Sequence, residues 1–319
     1  MVKRVVRVDE LALARPFRTA VATREVAKLV VIELHKPDHV GRGECFVPDI
    51  YHPQIPAICT QLERMPAHRE RLRSEWPPSM ARAAMDAALW DLEAKVSGKR
   101  VWELAGTSAK PIRTMFTIGI DSLEAMEARA RERAHWPVLK IKAEAEHAIA
   151  RVEAVRRGAP SARLVVDANA SWTIDDYRRL VPELERLDVS VIEQPLPPEQ
   201  DAELMMGRRP IPLCADESFR VAADVDRLAS LYDLVNVKLD KAGGLTEALD
   251  AARRAGAADM AVMVGCMVSS SLAIAPAWIV AQLASYVDLD GPLHLREDRE
   301  HALRYDDWTI HPPSAALWG

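Results

Sequence analysis

From residue 112 onward, short apolar runs alternate with longer stretches whose apolar residues recur every three or four positions. The runs predict strands over 113–119, 138–143, 163–168, 189–194, 212–216, 234–239, 261–266 and 286–289. The intervening stretches 122–135, 145–158, 173–187, 221–230, 244–256 and 269–284 are compatible with helices. Eight strands with helical connections predict a closed parallel barrel, an α/β fold of the TIM-barrel type. A doubly wound sheet is the alternative, but no glycine-rich phosphate turn follows the first strand. Residues 3–13 and 27–35 alternate like two antiparallel strands, with a loop from Arg15 to Glu25 between them. Gly41 to Cys45 enters a third strand or turn, and a Pro- and aromatic-marked loop runs from Phe46 to Pro56. Met80 to Val96 has helical spacing, and Gly98 stops it. The expected division is an α+β domain over 1–111, the barrel over 112–291 and a short polar tail over 292–319 that returns to the N-terminal unit.

Within the barrel pattern, Lys142, Asp167, Glu193, Asp216 and Lys238 close successive apolar runs at intervals of 22 to 26 residues. That interval is about one strand, one helix and two short loops. The side chains at the C-terminal ends of barrel strands converge on one rim. Three carboxylates there repel one another unless a cation neutralises them, and oxygen-only ligation from rigid strands suits Mg²⁺. Read singly, each acid is as readily a helix-capping charge; three in consecutive units argue against that. Lys140 and Lys142 lie two apart and share one face, so each ammonium is expected to depress the pKa of the other and make Lys142 a base near neutral pH. Lys238 ends the sixth strand, opposite the second, and places a second base across the metal. The plainer alternative makes Lys140 and Lys238 rim charges paired with the acids.

Composition narrows the partners. The chain has 319 residues, 49% of them apolar, and a net charge of −5. No dense basic stripe marks it for nucleic acid, and no apolar stretch reaches the ~20 residues that cross a bilayer. Cys45, Cys59, Cys214 and Cys266 lack metal spacing and suggest free thiols in a reducing compartment. The mixed N-terminus has no apolar signal core, so a cytoplasmic location is expected. The nine histidines show no metal-binding spacing and read as surface or packing residues. Cys266 reads as packing rather than as a nucleophile.

Opposed bases around a carboxylate-held metal imply removal of an α-proton beside a carboxylate through an enediolate, with return of a proton on the other face. Lys140-Ile141-Lys142, Asp167-Ala168-Asn169, Glu193-Gln194-Pro195, Ala215-Asp216-Glu217-Ser218, Asn236 to Gly244 and Asp288 to Pro292 span nearly the whole barrel, and Gly43-Glu44-Cys45 adds a match outside it. As a set they resemble the enolase superfamily, its muconate-lactonizing-like subgroup, and within it the dipeptide epimerases, such as those acting on L-Ala-D/L-Glu. The resemblance implies an N-terminal α+β capping domain on a (β/α)7β barrel, with capping loops that close over the substrate. It also implies Mg²⁺ on Asp167, Glu193 and Asp216, an acid/base pair Lys142 and Lys238, and a supporting Lys140.

Asp288 and Asp290 share a face at the end of the eighth strand and suit an ammonium group; in the family this motif receives the substrate's N-terminal amine. A solvated Asp-Gly turn is the alternative. Cys266 and Met267 at the end of the seventh strand are expected at the substrate, where many relatives carry an acid near the position of Ser269. Arg24, or less readily Arg18, is the candidate for a glutamate side chain, against an ordinary solvated charge, and the loop from Phe46 to Pro53 with Tyr51 and His52 is a second specificity surface. The implied reaction is epimerisation of a small dipeptide at its C-terminal residue, with peptidoglycan peptide recycling as the implied setting. An o-succinylbenzoate synthase, an N-acyl amino acid racemase and a non-catalytic dipeptide-binding barrel are the alternatives. No nucleic acid or membrane partner is expected, and a homo-oligomer is compatible with the sequence.

Overall fold

The computed structural model describes residues 2–206 and 209–319. β1 (Lys3–Arg18), β2 (Thr23–Lys36) and β3 (His39–Phe46) form an antiparallel sheet in that order. The expected loop from Arg15 to Glu25 is therefore mostly ladder. Only Thr19–Ala22 turns, closed by the Thr19 N–H donating to the Ala22 carbonyl at 2.8 Å. Pro16, which has no N–H to donate, sits where the register of β1 on β2 shifts between Ala12 and Phe17. Arg24 consequently stands on a strand, opposite Phe17.

Four helices follow: α1 (Ile55–Arg64), α2 (Arg69–Glu75), α3 (Met80–Ser97) and α4 (Val101–Ala105). Ser79 caps α3 by accepting from the Arg82 N–H at 3.1 Å, and Gly98 ends it in the left-handed region at φ 68°. α3 is buried on nearly all sides because it lies between the three-stranded sheet and the second domain. The approach of β3 is close enough that a side chain at Gly43 would collide with the Ala84 carbonyl.

β4 (Ile112–Arg113) pairs outside the barrel, so the expected 113–119 strand is really two. The barrel strands are β5 (Phe116–Ile118), β6 (Val138–Lys142), β7 (Arg163–Asp167), β8 (Val189–Glu193), β9 (Leu213–Ala215), β10 (Leu234–Val237), β11 (Ala261–Gly265) and β12 (Tyr286–Asp288). They are parallel and run in sequence order. The Met115 N–H donates to the Val287 carbonyl at 2.9 Å and nearly closes the ring between first and last strands. This excludes the doubly wound sheet. The connections are α5 (Leu123–Glu132), α6 (Ala148–Gly158), α7 (Ile174–Arg186), a 3-10 segment Pro198–Met206, α8 (Val225–Leu228), α9 (Leu239–Ala242) with α10 (Leu245–Ala257), and α11 (Ser271–Ala281). The expected helix over 221–230 is only a 3-10 turn followed by α8.

The tail is less polar than its sequence suggested. β13 (Tyr305–Asp306) and β14 (Thr309–Ile310) complete a small sheet with β4, and Leu303, Ile310, Leu317 and Trp318 are buried. Trp318 donates its indole N–H to the Ala87 carbonyl on α3 at 3.1 Å.

Inside the barrel, Met115, Val165, Val191, Cys214, Leu234 and Met263 make an apolar floor. Strand side chains repeat every two residues. One step above the floor therefore stand Asp167, Glu193, Asp216 and Asn236, with Lys238 a further step up.

Candidate active site

The backbone leaves β7 and β8 abruptly beyond their acids. Asn169 and Ala170 follow Asp167 at φ 48° and 57°, and Gln194 follows Glu193 at φ 36°. Such conformations are rare for residues with a Cβ and gather at functional sites. The Gln194 side chain ties the next strand in place: its carbonyl oxygen accepts from the Asp216 and Ser218 N–H groups at 2.8 and 3.1 Å, and its amide donates to Ser218 Oγ and Tyr232 Oη.

Asp167, Glu193 and Asp216 are buried, and one carboxylate oxygen of each lies within 4.8 Å of the others. Lys140 Nζ reaches Asp167 at 3.0 Å, Glu193 at 2.7 Å and Asp288 at 2.7 Å. Lys142 stands 2.5 Å from Asp167, and Lys238 stands 2.7 Å from Asp216. Lys241 also meets Asp216, at 2.5 Å. Lys142 and Lys238 thus approach the acids from the second and sixth strands of eight, opposite sides of the ring. Lys140 is only 1% exposed, which rules out a rim charge.

Burial works against every charge here, and the signs of the neighbours decide the outcome. For Asp167, burial is outweighed by Lys140 and Lys142, which bring its pKa down to about 2. Asp216 is held well below the usual range against burial by Lys238 and Lys241. Glu193, pushed by burial and then by Asp167, rises to about 7. Lys140 departs from the sequence expectation. The acids decide its state rather than the neighbouring ammonium: Asp167, Asp288 and Glu193 overcome burial and raise it well above the ordinary lysine value. Lys238 is raised likewise, chiefly by Asp216.

The triad fits a small divalent cation. Its donors are all oxygens on rigid strand ends, and Glu193 Oε2 receives no well-directed hydrogen bond although Lys140 lies close. Asn236 donates to Glu193 Oε1 at 2.8 Å and orients it.

A cleft of about 220 Å³ opens over these groups. Its floor includes Lys140, Lys142, Asp216 and Lys238, and its wall from the N-terminal domain includes Phe17, Thr19, Val21, Arg24 and Phe46. Cys266, Met267, Asp288 and Asp290 line it too. Arg24 lies over the Phe46 ring at 5.4 Å, with Nε 3.1 Å from Asp49. Arg18 lines a neighbouring cavity instead. In the aromatic loop, Tyr51 borders another adjoining cavity and His52 turns to the Val47 carbonyl at 3.0 Å, so Phe46 and Pro48 are the residues of that surface that reach the cleft.

Sequence reasoning missed several lining groups. His294 was read as surface or packing, yet it lines the cleft with Nε2 3.1 Å from Asp290. Glu217 and Lys241 stood inside quoted motifs, next to and three beyond residues already singled out. Thr117 had no signal, being one polar residue in an apolar strand. Next to Ser269 an acid comes from the other domain, Glu44, which meets Ser270. This buried acid of β3 accepts from Ser270 and Arg299 and locks the capping sheet onto the barrel.

Asp240 ties the same two domains together. It accepts from the Phe46 N–H at 3.3 Å, and burial raises its pKa to about 7. A carboxyl raised above its unfolded value destabilises the fold as pH rises from about 4 towards 7, where the folded form gives up its proton. Asp240→Asn is expected to raise the melting temperature by roughly 1–3 °C at pH 8. At pH 4 it should change nothing; scanning calorimetry at the two pH values checks this.

A barrel of this order, capped by an α+β domain and holding three acids between opposed lysines, defines an enolase-superfamily enzyme. The chain belongs to that superfamily: residues 1–106 match the mandelate racemase/muconate lactonizing enzyme N-terminal domain and residues 123–316 the enolase C-terminal domain-like family. It is 37% identical to the L-Ala-D/L-Glu epimerase of Escherichia coli K12 over 97% of this chain and 99% of that one. It is 42% identical to the N-acetyl-D-glutamate racemase of a Pseudoalteromonas species over 76% of this chain and 77% of the relative. A crystal structure of an enolase family member from Agrobacterium tumefaciens with homology to dipeptide epimerases, with bound sodium and L-Ala-L-Glu, superposes with a TM-score of 0.96 at 39% identity, covering 100% of both chains. The chain is an enzyme of the isomerase class.

Proposed function

We propose that this enzyme epimerises a dipeptide such as L-Ala-L-Glu at the α-carbon of its C-terminal residue, by proton transfer between Lys142 and Lys238. The observation that carries the reading is the placement of these lysines on opposite sides of the acid triad, each against a different member of it. Asp167, Glu193 and Asp216 would hold Mg²⁺, which supplies a Lewis acid that lowers the cost of charge developing on the substrate carboxylate. One lysine, as the amine, removes the α-proton; the other, as the ammonium, delivers a proton to the opposite face and inverts the centre. Lys140 adds a fixed positive charge beneath the developing negative one. The Asp288–Asp290 pair receives the amine of the first residue, and Arg24 on the capping wall faces the side chain of the second.

A racemase of N-acyl glutamate is the second reading, favoured by the relative of that name. Proton NMR in deuterated water separates the two. The dipeptide reading expects loss of the C-terminal α-proton signal of L-Ala-L-Glu with the appearance of the L,D-diastereomer, at least about 10-fold faster than exchange of N-acetyl-D-glutamate. The reverse order supports the racemase, and exchange with neither substrate sinks both.

A further inference from the structure

A second cavity, of about 570 Å³, lies beside the catalytic cleft. Phe17, Thr117 and His294 line both, so the Phe17 and His294 rings, with centroids 4.7 Å apart, form part of the wall between them. The two domains build the cavity together. From the capping sheet, β1 supplies Arg15 and Pro16 where its register on β2 shifts, and a shift of this kind re-aims side chains out of the regular ladder. From the barrel, α5 presents Ala125, Met126 and Arg129, positions three and four apart on one helical face. The Ile120 N–H donates to the Arg18 carbonyl at 2.8 Å and ties the two sides to each other.

Charge sets this cavity apart. Arg15, Arg18 and Arg129 line it against one acid, Asp121, whose Oδ1 accepts from the Ser122 N–H at 2.8 Å. Arg133, one turn beyond Arg129, lies over the Phe116 ring at 4.8 Å, and Arg129 lies over the same ring at 5.5 Å. Arg133 Nε is buried with no hydrogen-bond partner. Among the described residues, the one carboxylate paired with any of these four arginines is Glu132, 3.4 Å from Arg129 and half exposed. A pair that open contributes little. Burial, and after it the Arg15 guanidinium, holds the Arg129 pKa below its usual value. Like charges gathered in this way repel, and an anion between them turns the repulsion into attraction. Much of the remaining wall (Pro16, Phe17, Ile118, Ile120) is apolar and suits a short hydrocarbon body.

We propose that this cavity is a second binding site, for a small carboxylic acid, with Arg15, Arg18 and Arg129 as forked donors to its carboxylate and the apolar wall around its carbon chain. The guanidinium fork matches a carboxylate in two parallel bonds, which an ammonium cannot do. The site stands whichever substrate the cleft turns over.

Calorimetric titration of the intact protein with glutarate at low ionic strength tests it. Saturable binding of one glutarate per chain is expected. Arg129→Gln and Arg15→Gln should each weaken it about 10- to 100-fold, the effect of losing a charge-assisted contact. Arg129→Lys, which keeps the charge and loses the fork, should recover only part of the loss. Arg178→Gln, an exposed arginine of α7, is the control and should stay within about 2-fold of the wild type; melting temperatures establish that each variant is folded. No saturable binding, or wild-type affinity in both Arg129→Gln and Arg15→Gln, overturns the site. Inorganic phosphate, which brings the charge without the carbon chain, should bind more weakly, and binding as tight as that of glutarate overturns the assignment to a carboxylic acid. Competition fixes where the carboxylate comes from. Displacement of glutarate by L-Glu-L-Ala and not by L-Ala-L-Ala assigns it to a peptide that reaches across from the cleft, and displacement by neither assigns it to a free acid; both results uphold the site. Displacement by both dipeptides places glutarate in the catalytic cleft and overturns the proposal.

Discussion

Replacing Lys238 by alanine is expected to lower epimerisation by about 10³-fold or more while leaving the protein folded. The fold should survive because Asp216, the partner of Lys238, keeps Lys241 at 2.5 Å and is not left as an unpaired buried charge. Lys142→Ala is protected in the same way, since Asp167 keeps Lys140 at 3.0 Å. The chemistry has no such spare. A positioned acid or base typically contributes 10²–10⁴-fold, and inversion needs one on each face. The sharper result is an asymmetry. With one lysine gone, the survivor still removes the α-proton from the configuration that faces it, so deuterium washes into one diastereomer of the substrate and not into the other. The two variants should therefore show opposite substrate preferences in deuterated water, while neither interconverts the diastereomers. Exchange from both diastereomers in either variant rules out the two-base assignment.

Removal of the divalent cation is expected to abolish turnover and to lower thermal stability together. Chelator-treated enzyme should regain activity with Mg²⁺. Its melting temperature should climb with Mg²⁺ concentration, because a ligand bound only to the folded form stabilises it by about 2.7 kcal/mol at a hundred times its Kd. Glu193→Gln is the variant of choice. Asp216 also anchors Lys238 and Lys241, whereas Glu193 is held by Asn236 and Lys140, so its loss disturbs the bases least. That variant should be at least about 10³-fold less active and show no Mg²⁺-dependent rise in melting temperature by differential scanning fluorimetry. A variant that still responds to Mg²⁺ as the wild type does would place the cation elsewhere.

The barrel and the charges gathered at its strand ends were readable in the sequence for a physical reason. Strands buried on both faces are apolar runs, so a charge that ends one, such as Asp167 or Glu193, stands out. The period of two also fixes Lys140 and Lys142 on a common face. Groups outside the apolar runs, or joined to the site from elsewhere in the chain, left no such mark. His294 meets Asp290 over a single turn, Glu44 joins Ser270 from another domain, and Thr117 looks like any polar residue in a strand. The expectation for Lys140 failed because it counted the near ammonium in the sequence and not the acids arriving from β7, β8 and β12. The hairpin at Arg15–Glu25 was read as a loop because Pro16 and its polar neighbours hide a ladder that continues past a register shift.

The cleft draws its reactive groups from strand ends and much of its wall from the turn and strands of a separate sheet. On the proposed chemistry, substitutions at Thr19, Val21 or Arg24 are expected to alter which side chain is admitted, because none of these positions carries a lysine or a carboxylate of the triad. Selection for a new substrate can therefore proceed in small steps on one domain while the inversion chemistry stays functional on the other. Such a scaffold is free to drift among dipeptides that differ in their second side chain without passing through an inactive ancestor.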